Sequence, residues 1–243
     1  LAATGFKSRD GILEAHQGYV DVLFGQTFDW EMLTEGLGTT FHLVEPGFNI
    51  KRYPAYVYLQ WAIEAVLSLR QTRNLRPDDV EYLELEVPPV RSDLSRPQPT
   101  SGLDGKFSFE YCAAVALADG RVGIDSFTDS TRFSPRVEAA LRKVRLRVNP
   151  DIPTELSRTW AAARARTRDG REYGETCRSY RGSIANPMDR ADRLAKFGEC
   201  ARRVLSADEI DRTVALVERL DDLENVGELT GLLARRPTGP SAP

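Results

Sequence analysis

Lys51, Arg52, Tyr53 and Pro54 stand together just ahead of an apolar-periodic stretch, and they are the residues whose types and spacing most suggest chemistry. Pro54 holds Tyr53 extended and fixes where a helix could start. Two cations beside a helix N-terminus would offer a seat for a carboxylate or a phosphate. The functional reading is an anion-binding pocket with Lys51 at its rim, and on composition alone a solvated basic turn outweighs it. Lys106, in Gly105-Lys106-Phe107-Ser108, is a second cation, closing a long loop at the entry of an Ala-rich helix. Tyr53, Tyr56 and Tyr58 could donate protons or hydrogen bonds, although aromatic residues near a helix start more often pack. If the helix begins at Pro54, Gln60 lies one turn beyond Tyr56, and the two side chains could converge on one ligand. His16 and His42 are isolated in sequence.

The elements that must position these residues follow from periodicity. Leu59, Ile63, Val66 and Leu67 form the inner stripe of an amphipathic helix begun by Pro54, with Gln60, Glu64 and Arg70 elsewhere on its wheel. Val80 to Val87 alternates apolar and acidic residues and reads as a strand stopped by Pro88 and Pro89. Arg91 to Gly105 reads as a long loop, and Phe109 to Leu117 as a helix ending at Asp119-Gly120. Ser134 caps a short helix with Pro135 at its first position. Two arginine-alternating strands follow, Val144 to Val148 and Ala163 to Thr167, the second running into an Asp169-Gly170 hairpin turn. Beyond Gly182 the chain reads as helical, with Asn186 and Pro187 capping one helix whose stripe is Leu194, Phe197, Ala201 and Val204. Ser206 with Glu209 is a capping box for a second helix, and Asn225 caps a third through Leu233. The fold class is α+β, a small mixed domain with antiparallel strands and packed helices followed by C-terminal helices. The organisation is residues 1–38 as the end of a helical part, 39–184 as the α+β domain, 185–236 as helices, and 237–243 as a disordered tail.

Composition narrows the function. The 243 residues carry a net charge of −3, too balanced for a nucleic-acid or membrane partner recruited by bulk electrostatics. Residues 142–181 hold eleven Lys or Arg against five Asp or Glu, but alternating arginines on a strand mark a solvent face, and nucleic acid stays a weak alternative. Cys112, Cys177 and Cys200 match neither a disulfide framework nor a zinc pattern and suggest a reducing, cytoplasmic setting. Two histidines cannot build a His-rich metal site, and no apolar run is long enough to span a bilayer. The chain starts with Leu1 rather than Met, which raises the expectation of a processed chain or of the C-terminal piece of a longer protein.

From Lys51-Arg52-Tyr53-Pro54 through Ile63-Glu64-Ala65, the sequence resembles the MmgE/PrpD family. The likeness extends to Leu13-Glu14 with Gly18, to Pro99-Thr100, and to Lys106-Phe107-Ser108 with Tyr111, Ala116-Leu117 and Asp119-Gly120. It continues through Asp169-Gly170, Gly182, Asn186-Pro187 and Lys196-Phe197. The resemblance covers the family's C-terminal half. It implies that residues 39–184 are the small domain, and that residues 1–38 and 185–236 belong to a large helical domain whose N-terminal part is missing here. It also implies a lyase of dehydratase type acting on a small di- or tricarboxylic acid such as 2-methylcitrate, as part of propionate metabolism. Its reaction would be metal-free and cofactor-free proton abstraction next to a carboxylate followed by elimination, in a homodimer. Lys51 then matches the family's active-site lysine, which reverses the weighting against it. Tyr56 joins it as the second catalytic candidate, and Arg52, Tyr53, Gln60 and Lys106 become substrate-binding candidates. Many relatives place a histidine where this chain has Tyr56 or Gln60, and other catalytic residues, an Asp and a His among them, belong to the N-terminal half. The alternative reading is a non-catalytic remnant or half-subunit that works only by assembly with a partner carrying that half.

Overall fold

The computed structural model describes residues 2–7, 10–89 and 96–234, so the proposed tail at 237–243 and the start of the long loop lie outside the described residues. The chain divides after Phe48 into two compact units, ten residues beyond the boundary suggested by composition, and the C-terminal helices group with the second unit. The first unit carries two short helices, α1 (Tyr19–Phe24) and α2 (Trp30–Thr34), the latter capped by the Asp29 carboxylate. Neither is long enough to present a continuous apolar face. Val20 is accordingly the one hydrophobic side chain buried among that unit's described residues.

The second unit contains α3 (Leu59–Thr72), β1 (Val80–Val87), α4 (Gly102–Gly105), α5 (Phe109–Asp119), α6 (Asp129–Arg132) and α7 (Pro135–Leu141). It continues with β2 (Val144–Val148), β3 (Ala161–Thr167), β4 (Glu172–Cys177), α8 (Arg190–Ala201), α9 (Ala207–Glu218) and α10 (Gly227–Leu233). The sheet runs β2-β1-β3-β4. β1 pairs antiparallel with β3, and β3 with β4, but β1 and β2 are parallel, which the sequence did not announce. A parallel pair needs a long crossover, and α4 to α7 supply it.

One sheet face is covered by helices. Leu83 and Leu85 of β1 and Ala161, Ala163 and Ala165 of β3 are buried, and α3 packs on β3 and β4 while α5 packs on α3, α7 and β2. The alanines of β3 let α3 lie close to the strand. α5 is buried from Phe109 to Ala118 and ends on Gly120 in the left-handed conformation, φ +67°. A helix apolar on every side belongs in the centre of a core. The opposite face carries the arginine strands as a solvent-exposed charge lattice, where Arg164 reaches Glu86 at 3.4 Å and Arg166 reaches Glu81 at 3.4 Å.

Two helix starts differ from the sequence reading. α3 begins at Leu59, not at Pro54, because the preceding backbone is already committed: the Tyr53 and Ala55 carbonyls accept from the Gln60 side chain, and the Tyr56 amide donates to Lys106. α8 begins after Asp189, whose carboxylate accepts from the Asp192 amide at 2.8 Å. Asn186 instead closes a turn, its side-chain amide donating to the Ser179 carbonyl at 3.2 Å. The Ser206–Glu209 capping box forms as expected, and Asn225 accepts from the Gly227 amide at 2.8 Å. Leu194 and Phe197 are half-buried and Val204 is 57% exposed. Cys112 and Cys177 are buried free thiols and Cys200 is exposed. Among the described residues no helix is long and apolar enough to cross a membrane.

Candidate functional site

The segment from Asn49 to Ala55 is strapped down on both sides. On one side the Ile50 amide donates to the Gly182 carbonyl at 2.7 Å, and Asn49 Oδ1 accepts from the Ile184 amide at 2.9 Å. Gly182 adopts φ +110°, and a Cβ there would fall 2.3 Å from the Ile50 carbonyl oxygen, so only glycine permits the approach. On the other side α3 takes hold of Tyr53. Gln60 Oε1 accepts from the Tyr53 amide at 3.0 Å, and its Nε2 donates to the Tyr53 carbonyl at 3.0 Å and, more weakly, to that of Ala55 at 3.4 Å. The Tyr53 hydroxyl donates to Glu64 Oε2 at 2.7 Å.

Arg52 is drawn into the same network. Its guanidinium lies 3.5 Å from Glu64 and 3.8 Å from Asp192, and 5.7 Å from the centre of the Tyr53 ring. Asp192 also binds Arg181 Nε at 2.5 Å. Arg52 and Glu64 face an open cleft of about 660 Å³ bounded by Arg70, Asn74 and Arg76. Burial and the neighbouring Glu64 charge push the Tyr53 hydroxyl above the usual tyrosine range, so it stays a hydrogen-bond donor and not a base. Lys51 differs from its neighbours. It is exposed, and among the described residues its ammonium makes no ion pair or hydrogen bond.

The structure brings Tyr56 and Lys106 together. The Tyr56 amide donates to the Lys106 carbonyl at 2.9 Å, joining the two candidate segments edge to edge. The Tyr56 ring is half-buried, 5.7 Å from the Tyr58 ring and 6.3 Å from that of Phe107. Lys106 is half-buried too, with Nζ 5.8 Å from the centre of the Phe127 ring, and it has no ion pair among the described residues. Tyr58 is fixed by a 2.6 Å bond from its hydroxyl to the Thr154 carbonyl.

Two expected ligand contacts are occupied inside the protein. Gln60 is fully buried and has no surface to offer, so it does not converge with Tyr56, and Tyr53 is 5% exposed with its polar groups occupied. Arg52 is held by carboxylates. Lys51 is the cation of this segment without a partner among the described residues, Arg52 remains exposed at the cleft beside its carboxylates, and Tyr56 and Lys106 form a second, adjoined pair. Glu64, Asp192 and Gly182 were not read from the sequence as parts of this arrangement. The available signal was Glu64 recurring one turn after Gln60, behind a Tyr-Pro step. Among the described residues no three His, Cys, Asp or Glu side chains gather closely enough to hold a metal ion.

Comparison with known proteins places the chain in a family. A family model, MmgE/PrpD C-terminal domain, matches residues 53–222. The chain is 30% identical over 239 residues to mouse cis-aconitate decarboxylase, covering 96% of this chain and 48% of that protein. It is 27% identical over 248 residues to the human cis-aconitate decarboxylase, covering 100% of this chain and 50% of that protein. The chain thus spans about half the length of these curated relatives. Lys51 and its strap adjoin a family match that itself takes in Gln60, Glu64, Lys106 and Gly182, and on the extent of that match the chain belongs to the MmgE/PrpD family.

Proposed function

We propose that the protein carrying this chain is a lyase acting on a small di- or tricarboxylic acid, and that Lys51 binds a substrate carboxylate or the negative charge that develops beside it. The observation that supports this most is the contrast within one segment: Asn49, Ile50, Arg52 and Tyr53 are all committed to the protein, and Lys51 between them is exposed and uncommitted. A cation on a rigid support suits a reaction in which a proton leaves the carbon next to a carboxylate and enolate-like charge accumulates. Tyr56 supplies a hydroxyl to the same reaction, and Lys106, bonded to it through the backbone, a second cation. In dehydration the carbanion expels the hydroxyl group, which leaves as water with a proton. In decarboxylation the abstracted proton is returned to another carbon, carbon dioxide departs, and the electron pair it leaves on carbon takes up a further proton. Neither course draws on a cofactor. The protein acts as a cytoplasmic homodimer.

Dehydration of a 2-methylcitrate-like substrate follows from the family resemblance, and decarboxylation is favoured by the names of the two relatives. Product analysis separates them. Incubating the native-length protein with 2-methylcitrate, citrate and cis-aconitate should yield turnover of at least one, with released carbon dioxide marking decarboxylation and a new alkene absorbance without it marking dehydration. Absence of turnover on all three would remove the lyase reading.

A further inference from the structure

Gln60 and Glu64 lie one turn apart on α3, so their side chains emerge on the same face and both reach back over the residues that precede the helix. Gln60 spends its amide on the Tyr53 peptide groups in a two-point grip, 3.0 Å on each side. Glu64 takes the Tyr53 hydroxyl at 2.7 Å and the Arg52 guanidinium at 3.5 Å. Tyr53 is therefore fixed at its backbone and at its ring tip. With Ile50 bonded to Gly182 on the other side, the backbone flanking Lys51 is pinned in both directions. A buried amide gripping a backbone is also a costly device to keep, because removing either partner leaves a desolvated polar group behind.

We infer that Gln60 and Glu64 are positioning residues for Lys51. They fix the direction in which its ammonium leaves the segment, and they touch no ligand themselves. The inference rests on the reading of Lys51 as the anion-binding group, and it deepens that reading by assigning Tyr53 the part of the link. A core role alone would lower stability and leave the way Lys51 engages an anion unchanged. A positioning role alters that engagement in a folded protein, because small displacements of a charged group from its working geometry are expensive.

Lys51 is one of five lysines in this chain, and its signal in the native-length protein is assigned by its loss in Lys51→Ala. In the native-length protein, reductive ¹³C-methylation keeps each lysine charged and gives it a resonance that can be followed during titration with citrate, used as a tricarboxylate probe. The wild type should show a citrate-dependent shift at Lys51. Tyr53→Phe, which deletes only the hydroxyl, and Glu64→Ala should weaken the affinity read at that signal by about tenfold, the size of one charge-assisted hydrogen bond. Glu64→Gln, which keeps an acceptor for the Tyr53 hydroxyl, should recover most of the loss. Thermal unfolding of each variant shows whether it is folded, and Tyr53→Phe keeps the inference testable if Glu64→Ala is not. Wild-type affinity at Lys51 in folded Tyr53→Phe, and in Glu64→Ala where that variant folds, overturns the inference and leaves the role of Lys51 standing. No citrate shift at Lys51 in the wild type overturns both.

Discussion

Tyr53 uses its amide, its carbonyl and its hydroxyl inside the protein, all three on the side chains of one helix. Sequence reasoning noted that a tyrosine near a helix start more often packs, and the family resemblance then placed it among the ligand contacts. What decided otherwise was Gln60, whose amide matches a peptide group in donors and acceptors, and Glu64, whose charge suits both Arg52 and a phenolic donor. Lys51 stood out from the sequence as a cation ahead of Tyr-Pro, but composition favoured a solvated turn, and only the family resemblance reversed that weighting. Glu110 shows the same limit from the other direction. It reads as an ordinary first-turn acid, but it is buried, with Ser108 Oγ a distant 3.4 Å away, and desolvation raises its pKa above the ordinary 4.5. The folded state therefore holds this proton more tightly than the unfolded chain. Its contribution to stability is complete below about pH 4.5 and is lost as pH rises through the folded value. Glu110→Gln should raise the unfolding midpoint at pH 7 to 8 and leave it unchanged near pH 4. A midpoint lowered at pH 8 would show that the ionised carboxylate is well solvated or paired.

At the scale of elements, local signals served well where the backbone answers to its own residues. The alternation of β1, the Asp169-Gly170 turn, the Ser134-Pro135 start and the Ser206–Glu209 box all appear where their residues put them. They fail where a distant segment competes for the same groups. Pro54 could have opened a helix, but the Tyr56 amide is taken by Lys106, fifty residues on, and helix formation waits until Leu59. That displacement is why Tyr56 and Gln60 do not share a face. The parallel pairing of β1 with β2 is hidden for the same reason, since neither strand's pattern records its partner. Gly182 stood out as the start of the helical segment and as one of the family's motif residues, and its contact with Ile50 joins segments far apart in sequence. Gly182→Ala would force a Cβ against the Ile50 carbonyl at a positive φ, a strain of about 2 kcal/mol. The unfolding midpoint should fall by about 4–8 °C. An unchanged midpoint would mean that the strap is soft and does not brace the Lys51 segment.

For the molecule as a whole, the chain accounts for half of its curated relatives' length, and its own residues supply a braced cation, together with a tyrosine and a second lysine joined through a backbone hydrogen bond across fifty residues of sequence. Family membership was legible because the motifs recur in order along most of the chain. The choice between losing water and losing carbon dioxide was not, because in the proposed reaction both courses draw on the same cations. The central claim concerns Lys51, and Lys51→Ala addresses it cleanly: the side chain is exposed and unpaired among the described residues, so its truncation spares the fold. The decisive measurement is kcat/KM of the native-length protein and of Lys51→Ala on whichever of 2-methylcitrate, citrate and cis-aconitate turns over, with unfolding midpoints recorded alongside. The account predicts a fall of about a hundredfold or more at an unchanged midpoint. A variant within twofold of the wild type would contradict it.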